Sequence, residues 1–136
     1  MGGIMKRIGI MTAGDINAFF NAYNERQYDV LFEKYMAEDC YWYASEKALK
    51  GKEEIVNYWT KYHSAFTERL GKPEHVVFGD GCVYLQVKIF LDFIEDGLFF
   101  GKAYKKGDVY HFGCVDYYEL NEERMIRSGL VYIKFF

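Results

Sequence analysis

Beyond Pro73, the only proline in the chain, apolar residues stop recurring every third or fourth position and begin to alternate. Over Cys82 to Glu95, Val83, Leu85, Val87, Ile89, Leu91 and Phe93 fall on one face, and Tyr84, Gln86, Lys88, Phe90 and Asp92 on the other. A period of two is the mark of a strand with one face in a core. The other face mixes aromatic and polar groups, as a subunit contact does. Val76 to Phe78 reads as a shorter strand, joined to the long one by the tight turn Gly79-Asp80-Gly81. Turns at Glu95-Asp96-Gly97 and Lys105-Lys106-Gly107-Asp108 precede a closing hairpin. Its strands are Val109 to Leu120 and Met125 to Phe136, connected through Asn121-Glu122-Glu123-Arg124.

The first half has a different period. Ile16, Phe19, Phe20 and Tyr23 share one face of a helix over Thr12 to Arg26, and Thr12 with Asp15 forms a capping-box pattern. Leu31, Phe32 and Tyr35 mark a short helix over Tyr28 to Met36. Gly51 opens a third helix with Glu53 and Glu54 in its first turn, where the helix dipole favours anions. Its stripe is Ile55, Trp59, Tyr62 and Phe66, and Gly71-Lys72-Pro73 stops it. Cys40 to Ala44 is a further short strand. These elements predict an α+β fold, three helices packed on one face of a strongly curved antiparallel sheet. No linker or repeat divides the chain, so residues 1–136 are expected to form one domain, with 1–11 a flexible N-terminal segment.

Apolar residues make up 51% of the chain and aromatics 20%, which excludes disorder and points to an aromatic-lined cavity or a buried interface. Seventeen Lys and Arg against 20 Asp and Glu leave a net charge of −3, with no basic footprint for nucleic acid. Cys40, Cys82 and Cys114 are odd in number, widely spaced and set in apolar stretches. They read as buried free thiols of a cytoplasmic protein rather than disulfides or zinc ligands. The apolar run after Lys6-Arg7 is too short for an export signal and is broken by Asp15, and Lys6 spoils a myristoylation pattern at Gly2. No run of apolar residues is long enough to cross a membrane as a helix. The three His residues show no metal spacing, and neither a dinucleotide loop nor a nucleophile elbow is present, so no metal and no cofactor is expected.

The succession of helices, the phrase Tyr35-Met36-Ala37-Glu38-Asp39 leading into a strand, Leu49-Lys50-Gly51-Lys52-Glu53-Glu54-Ile55, Trp59, Lys105-Lys106-Gly107-Asp108 and the Tyr118-Glu119-Leu120 to Ile126 hairpin resemble the nuclear-transport-factor-2-like superfamily, in particular its SnoaL-like branch. The resemblance spans about Gly14 to Phe136. It implies a cone-shaped α+β barrel with one internal pocket, a form shared by ketosteroid isomerases, polyketide cyclases, scytalone dehydratases, epoxide hydrolases and non-catalytic binders. The base of the ketosteroid isomerases has no counterpart in Tyr43-Ala44-Ser45, and their first-helix Tyr falls on Phe19. Scytalone dehydratase is similar at Tyr23-Asn24, Tyr43, His75 and His111, with Asn24 where that enzyme has Asp.

These readings nominate Asp116, His75, His111 and Tyr43 as catalytic groups, and Tyr23, Asn24, Phe19, Tyr41 and Trp59 as ligand contacts. His75 precedes a strand at the expected pocket mouth, where a neutral imidazole takes a proton α to a carbonyl; otherwise it is a solvated loop residue. Asp116 lies mid-strand in Cys114-Val115-Asp116-Tyr117-Tyr118. It is either a buried carboxylate with a raised pKa or the outward partner of a base such as Arg127. Alternation sets His111 on the opposite face from Asp116 unless a bulge at Gly113 reverses the phase. Tyr23, Tyr41 and Tyr43 are oxyanion donors or aromatic filling, and His63 is a partly exposed boundary residue. The expected function is a cofactor-independent lyase or isomerase acting on a small apolar carbonyl or polyketide-like compound. A non-catalytic binding module and a structural dimerisation domain are the alternatives. A homodimer through the face bearing Tyr84, Gln86, Lys88 and Phe90 is expected, with no nucleic acid or membrane partner.

Overall fold

The computed structural model describes residues 9–44, 47–64, 66–99 and 101–134. Helix α1 (Ala13–Asn24) starts at a true capping box: Thr12 Oγ1 accepts from the Asp15 N–H, and Asp15 Oδ2 accepts from the Thr12 N–H. Its buried face carries Ile16, Phe19, Phe20 and Tyr23, as the spacing predicts. The short α2 (Tyr28–Lys34) buries Leu31 and Phe32. Strand β1 (Met36–Ala44), strand β2 (Lys47–Lys50) and helix α3 (Gly51–Tyr62) follow. Then come β3 (Phe66–Leu70), β4 (His75–Gly79), β5 (Cys82–Phe93), β6 (Gly97–Phe99), β7 (Lys102–Tyr104), β8 (Val109–Leu120) and β9 (Ile126–Lys134).

Seven strands form one sheet in the order β2-β1-β9-β8-β5-β3, with β4 sharing β5 as partner; β6 and β7 form a separate hairpin. β3 pairs with one end of β5, Phe66 opposite Phe93, and β4 with the other, Gly79 opposite Cys82. On β5 burial alternates without a break from Val83 to Phe93, and the inward residues of β8 are Phe112, Cys114, Asp116, Tyr118 and Leu120. The sheet curls into a half-barrel against the three helices. Its register shows how strong the curl is. Glu68 sits opposite Leu91 and Asp116 opposite Leu85, six residues apart along β5. On a flat sheet that is about 20 Å, yet both side chains line one cavity.

Four expectations change. The third helix ends at Tyr62 instead of running through Phe66: the His63 N–H closes on the Trp59 carbonyl and the Ser64 hydroxyl donates to the Lys61 carbonyl. Phe66 to Leu70 is therefore strand, with Phe66 and Glu68 inward. The sheet is mixed, because β1 runs parallel to β9 while its other pairings are antiparallel. β2 and the β6–β7 hairpin lie where no strand is expected. Finally, of the segment 1–11, residues 1–8 lie outside the described residues, and Gly9 and Ile10 are held in place. Ile10 is fully buried, its N–H bonds to the Arg124 carbonyl, and Arg124 Nε donates back to the Ile10 carbonyl.

Candidate active site

A cavity of about 440 Å³ lies between α1, α3 and the concave side of the sheet. Half of its lining residues are aromatic because the inward stripes of these elements are aromatic: Phe19 and Tyr23 on α1, Tyr58, Trp59 and Tyr62 on α3, Phe112 and Tyr118 on β8. Trp59 stands nearly perpendicular to both Tyr23 and Trp42, at ring separations of 5.1 and 5.5 Å. Trp42 lies on Gly129 of the neighbouring strand, where a Cβ would come within 2.3 Å of the indole. Only glycine leaves room for the ring there. Lys47 and Lys61 line the cavity from exposed positions.

Two carboxylates reach this cavity from buried positions, Glu68 at 4% exposure and Asp116 at 5%. Glu68 belongs to a hydrogen-bonded cluster. The Tyr23 hydroxyl donates to Glu68 Oε1 in a short bond, and His63 Nε2 lies 2.9 Å from the same oxygen and 3.2 Å from the Tyr23 hydroxyl. On the far side of the ring, His63 Nδ1 is 3.0 Å from the Tyr28 hydroxyl. A ring proton on Nε2 satisfies the set, with Glu68 accepting twice and Nδ1 accepting from Tyr28. Burial, then the Glu68 charge, pushes the Tyr23 pKa well above the usual tyrosine value, so its hydroxyl remains a donor.

The end of α1 holds this cluster in register. Asn24 bonds through both atoms of its amide to the Leu70 backbone, at 2.9 and 2.8 Å. Arg26 donates to the Glu68 carbonyl at 2.6 Å and to the Tyr23 carbonyl at 3.1 Å. These side chains occupy the outer edge of β3, whose other edge pairs with β5, and so fix the strand that presents Glu68.

Asp116 has a different setting. The Tyr118 hydroxyl donates to Oδ2 at 2.6 Å and the Cys114 thiol to Oδ1 at 3.3 Å. Burial raises its pKa from the ordinary carboxylate value to about 6; the two hydrogen bonds oppose the rise and the Glu68 charge adds to it. Arg127 does not reach it and pairs instead with Glu119 at 2.9 Å. Burial and the neighbouring Asp116 push the Cys114 thiol far up, which keeps it a neutral donor.

The cavity thus gathers four nominated residues, Asp116, Tyr23, Phe19 and Trp59. The others lie elsewhere. His75 is exposed on β4, opposite Gln86, and is not among the residues lining the cavity. His111 is exposed on the outer face beside Phe90, and the β5–β8 register runs through Gly113 with no bulge to turn it inward. Tyr41 and Tyr43 are exposed and stack on each other outside the barrel, because Trp42 takes the inward position between them. Asn24 bonds to the Leu70 backbone and is not among the residues lining the cavity. Glu68 is missing from the sequence-based set, and His63, read as a boundary residue, has a side chain only 6% exposed. The alternation Phe66-Glu68-Leu70 is the signal that finds Glu68 once the helix is ended at Tyr62.

Among the described residues, no group of three or more His, Cys, Asp or Glu side chains could hold a metal ion, and no helix is long and apolar enough to cross a membrane. A comparison with curated proteins finds no match. Among solved structures, a SnoaL-like polyketide cyclase from Agrobacterium tumefaciens superposes with a TM-score of 0.73 at 14% identity, covering 92% of this chain and 93% of that one. TsrD from Streptomyces laurentii gives 0.71 at 12% identity, over 92% of each chain. An LEH-like epoxide hydrolase of M. tuberculosis gives 0.67 at 10% identity, over 90% of this chain and 81% of that one. These likenesses establish a common fold. Residues 16–128 match the SnoaL-like domain family, and the chain belongs to that family.

Proposed function

We propose that the cavity binds a small carbonyl compound and that Asp116 moves a proton on it, as a cofactor-independent lyase or isomerase. The observation that carries this reading is a buried carboxylate with a pKa near 6, facing an aromatic cavity, with a tyrosine hydroxyl 2.6 Å away. A carboxylate of raised basicity that still ionises at neutral pH suits general base catalysis. Asp116 takes a proton from the carbon α to the carbonyl, and the C–H electron pair passes into an enolate. The carboxyl group then returns the proton to another carbon, which is isomerisation, or to a departing hydroxyl, which releases water. Tyr62 lines the same cavity, and burial holds its hydroxyl protonated, so it is available to donate to the enolate oxygen. Fold relatives described as a polyketide cyclase and an epoxide hydrolase support an enzymatic reading.

The test needs no knowledge of the natural substrate. Exchange of the α-hydrogens of 2-tetralone in D2O, followed by NMR, is expected to run above the buffer rate with the wild type. Asp116→Asn is expected to lower that rate by about 10²- to 10⁴-fold. Exchange at the buffer rate with a bound ketone would favour a binding module instead.

The outer face supports the homodimer. Tyr84 packs against Tyr117 at a ring separation of 4.6 Å, and Val115 lies between Gln86 and Tyr132 in one row. Tyr84, Val115 and Tyr132 are 50%, 41% and 60% exposed. A monomer in sedimentation at micromolar concentration would count against it. Three free thiols support a reducing, cytoplasmic setting.

A further inference from the structure

The cavity's charge has one sign where it is buried. Glu68 and Asp116 are its two buried charged side chains, both carboxylates, near enough for the Glu68 charge to act on Asp116. Neither has a lysine or arginine partner among the described residues; Glu68 has only His63. The cations on the lining, Lys47 and Lys61, are exposed, where water and salt screen them. Between the carboxylates stand aromatic rings. Tyr23, Trp42 and Trp59 meet at one corner, with Trp59 upright against the other two, and Tyr118 packs on Trp42 at 5.8 Å.

Buried carboxylates without a countercharge are costly, and aromatic rings attract cations through their negative faces. Upright rings together with acidic groups form the kind of enclosure that recognises an ammonium group. A neutral ligand would leave both carboxylates without a countercharge, Asp116 above all, and an anion would be repelled by both. From this arrangement we infer that the ligand carries a positive charge, a protonated or quaternary amine, seated against Trp42, Trp59 and Tyr23 within reach of Glu68 and Asp116. The inference rests on reading this cavity as the ligand site, and it narrows the carbonyl compound proposed above to one that also bears an amine.

Both tryptophans of the protein line this cavity, so their fluorescence reports on it alone. The probes are acetylcholine and its uncharged isostere 3,3-dimethylbutyl acetate, equal in shape and both carrying a carbonyl. Acetylcholine is expected to bind at least about tenfold more tightly, the scale of one carboxylate contact plus a cation–π contact. Asp116→Asn and Glu68→Gln are each expected to narrow that ratio several-fold, and either variant suffices if the other fails to fold. Equal affinities, tighter binding of the isostere, or no response to either probe at millimolar concentration would overturn the inference. Exchange on 2-tetralone separates the two claims. Ketone exchange without cation preference removes the charge and keeps the proton transfer, and the reverse result removes the proton transfer and leaves an amine-binding cavity.

Discussion

Glu68 and Asp116 are equally buried and face the same cavity, yet they are held in opposite ways. Glu68 accepts from Tyr23 and sits 2.9 Å from a buried imidazole, and the strand carrying it is braced by Asn24 and Arg26. Asp116 has a hydroxyl and a thiol, both neutral, and its pKa rises to about 6. The first carboxylate is a structural keystone as well as a cavity group; the second is destabilising in its charged form. A carboxylate that a fold keeps without compensation is the better candidate for chemistry.

Removing each in turn tests that contrast. The largest effect is expected from Glu68→Ala, which leaves the Tyr23 hydroxyl and His63 Nε2 buried without their acceptor. Loss of one partner from such a cluster costs about 3–5 kcal/mol, measurable by urea denaturation. A loss under about 1 kcal/mol would erase the distinction between the two carboxylates.

Asp116→Asn should act in the other direction and only above a certain pH. The folded protein holds the Asp116 proton more tightly than the unfolded chain does, with a pKa near 6 against 3.8. Wild-type stability therefore falls as pH rises through the window from about 4 to 6, where the unfolded chain ionises first. The Asn variant lacks that decline. At pH 8 it is expected to be more stable than the wild type by roughly 3 kcal/mol, and at pH 3.5 the difference should vanish. Thermal unfolding at the two pH values reads this directly, and a variant less stable at pH 8 would mean that the charged form is favourably held.

The smallest effect belongs to Tyr28→Phe, which removes the hydroxyl 3.0 Å from His63 Nδ1. That group is half-exposed, so water can replace it, and about 1 kcal/mol is expected. A loss as large as that of Glu68→Ala would place the centre of the cluster on Tyr28.

The same pair shows what the amino-acid order reveals and what it hides. Asp116 is partly legible: alternation groups it with Phe112, Cys114, Tyr118 and Leu120, the sequence leaves an outward pairing with Arg127 open, and the structure turns that face inward. The outward position of His111 follows from the same alternation. Glu68 is hidden because Phe66 continues the spacing of Ile55, Trp59 and Tyr62, so a helical stripe and a strand overlap in one residue. The break is made by backbone bonds at Trp59 and Lys61, which carry no periodic signal. An inward glutamate then looks like an exposed helical residue. The parallel pairing of β1 with β9 depends on where two distant segments meet, and nothing local encodes it.

Gly129 does not line the cavity, yet it sets how much room the cavity has. The Trp42 indole rests where any side chain at position 129 would stand. Even one methyl group there must drive the ring toward Trp59 and Tyr118 and into the space it now borders. The width of the cavity is thereby governed from behind the wall, by a position that a survey of lining residues would pass over. Members of the lineage could trade a roomy chamber for a narrow one with a single substitution, leaving every acidic and hydroxyl group of the interior unchanged.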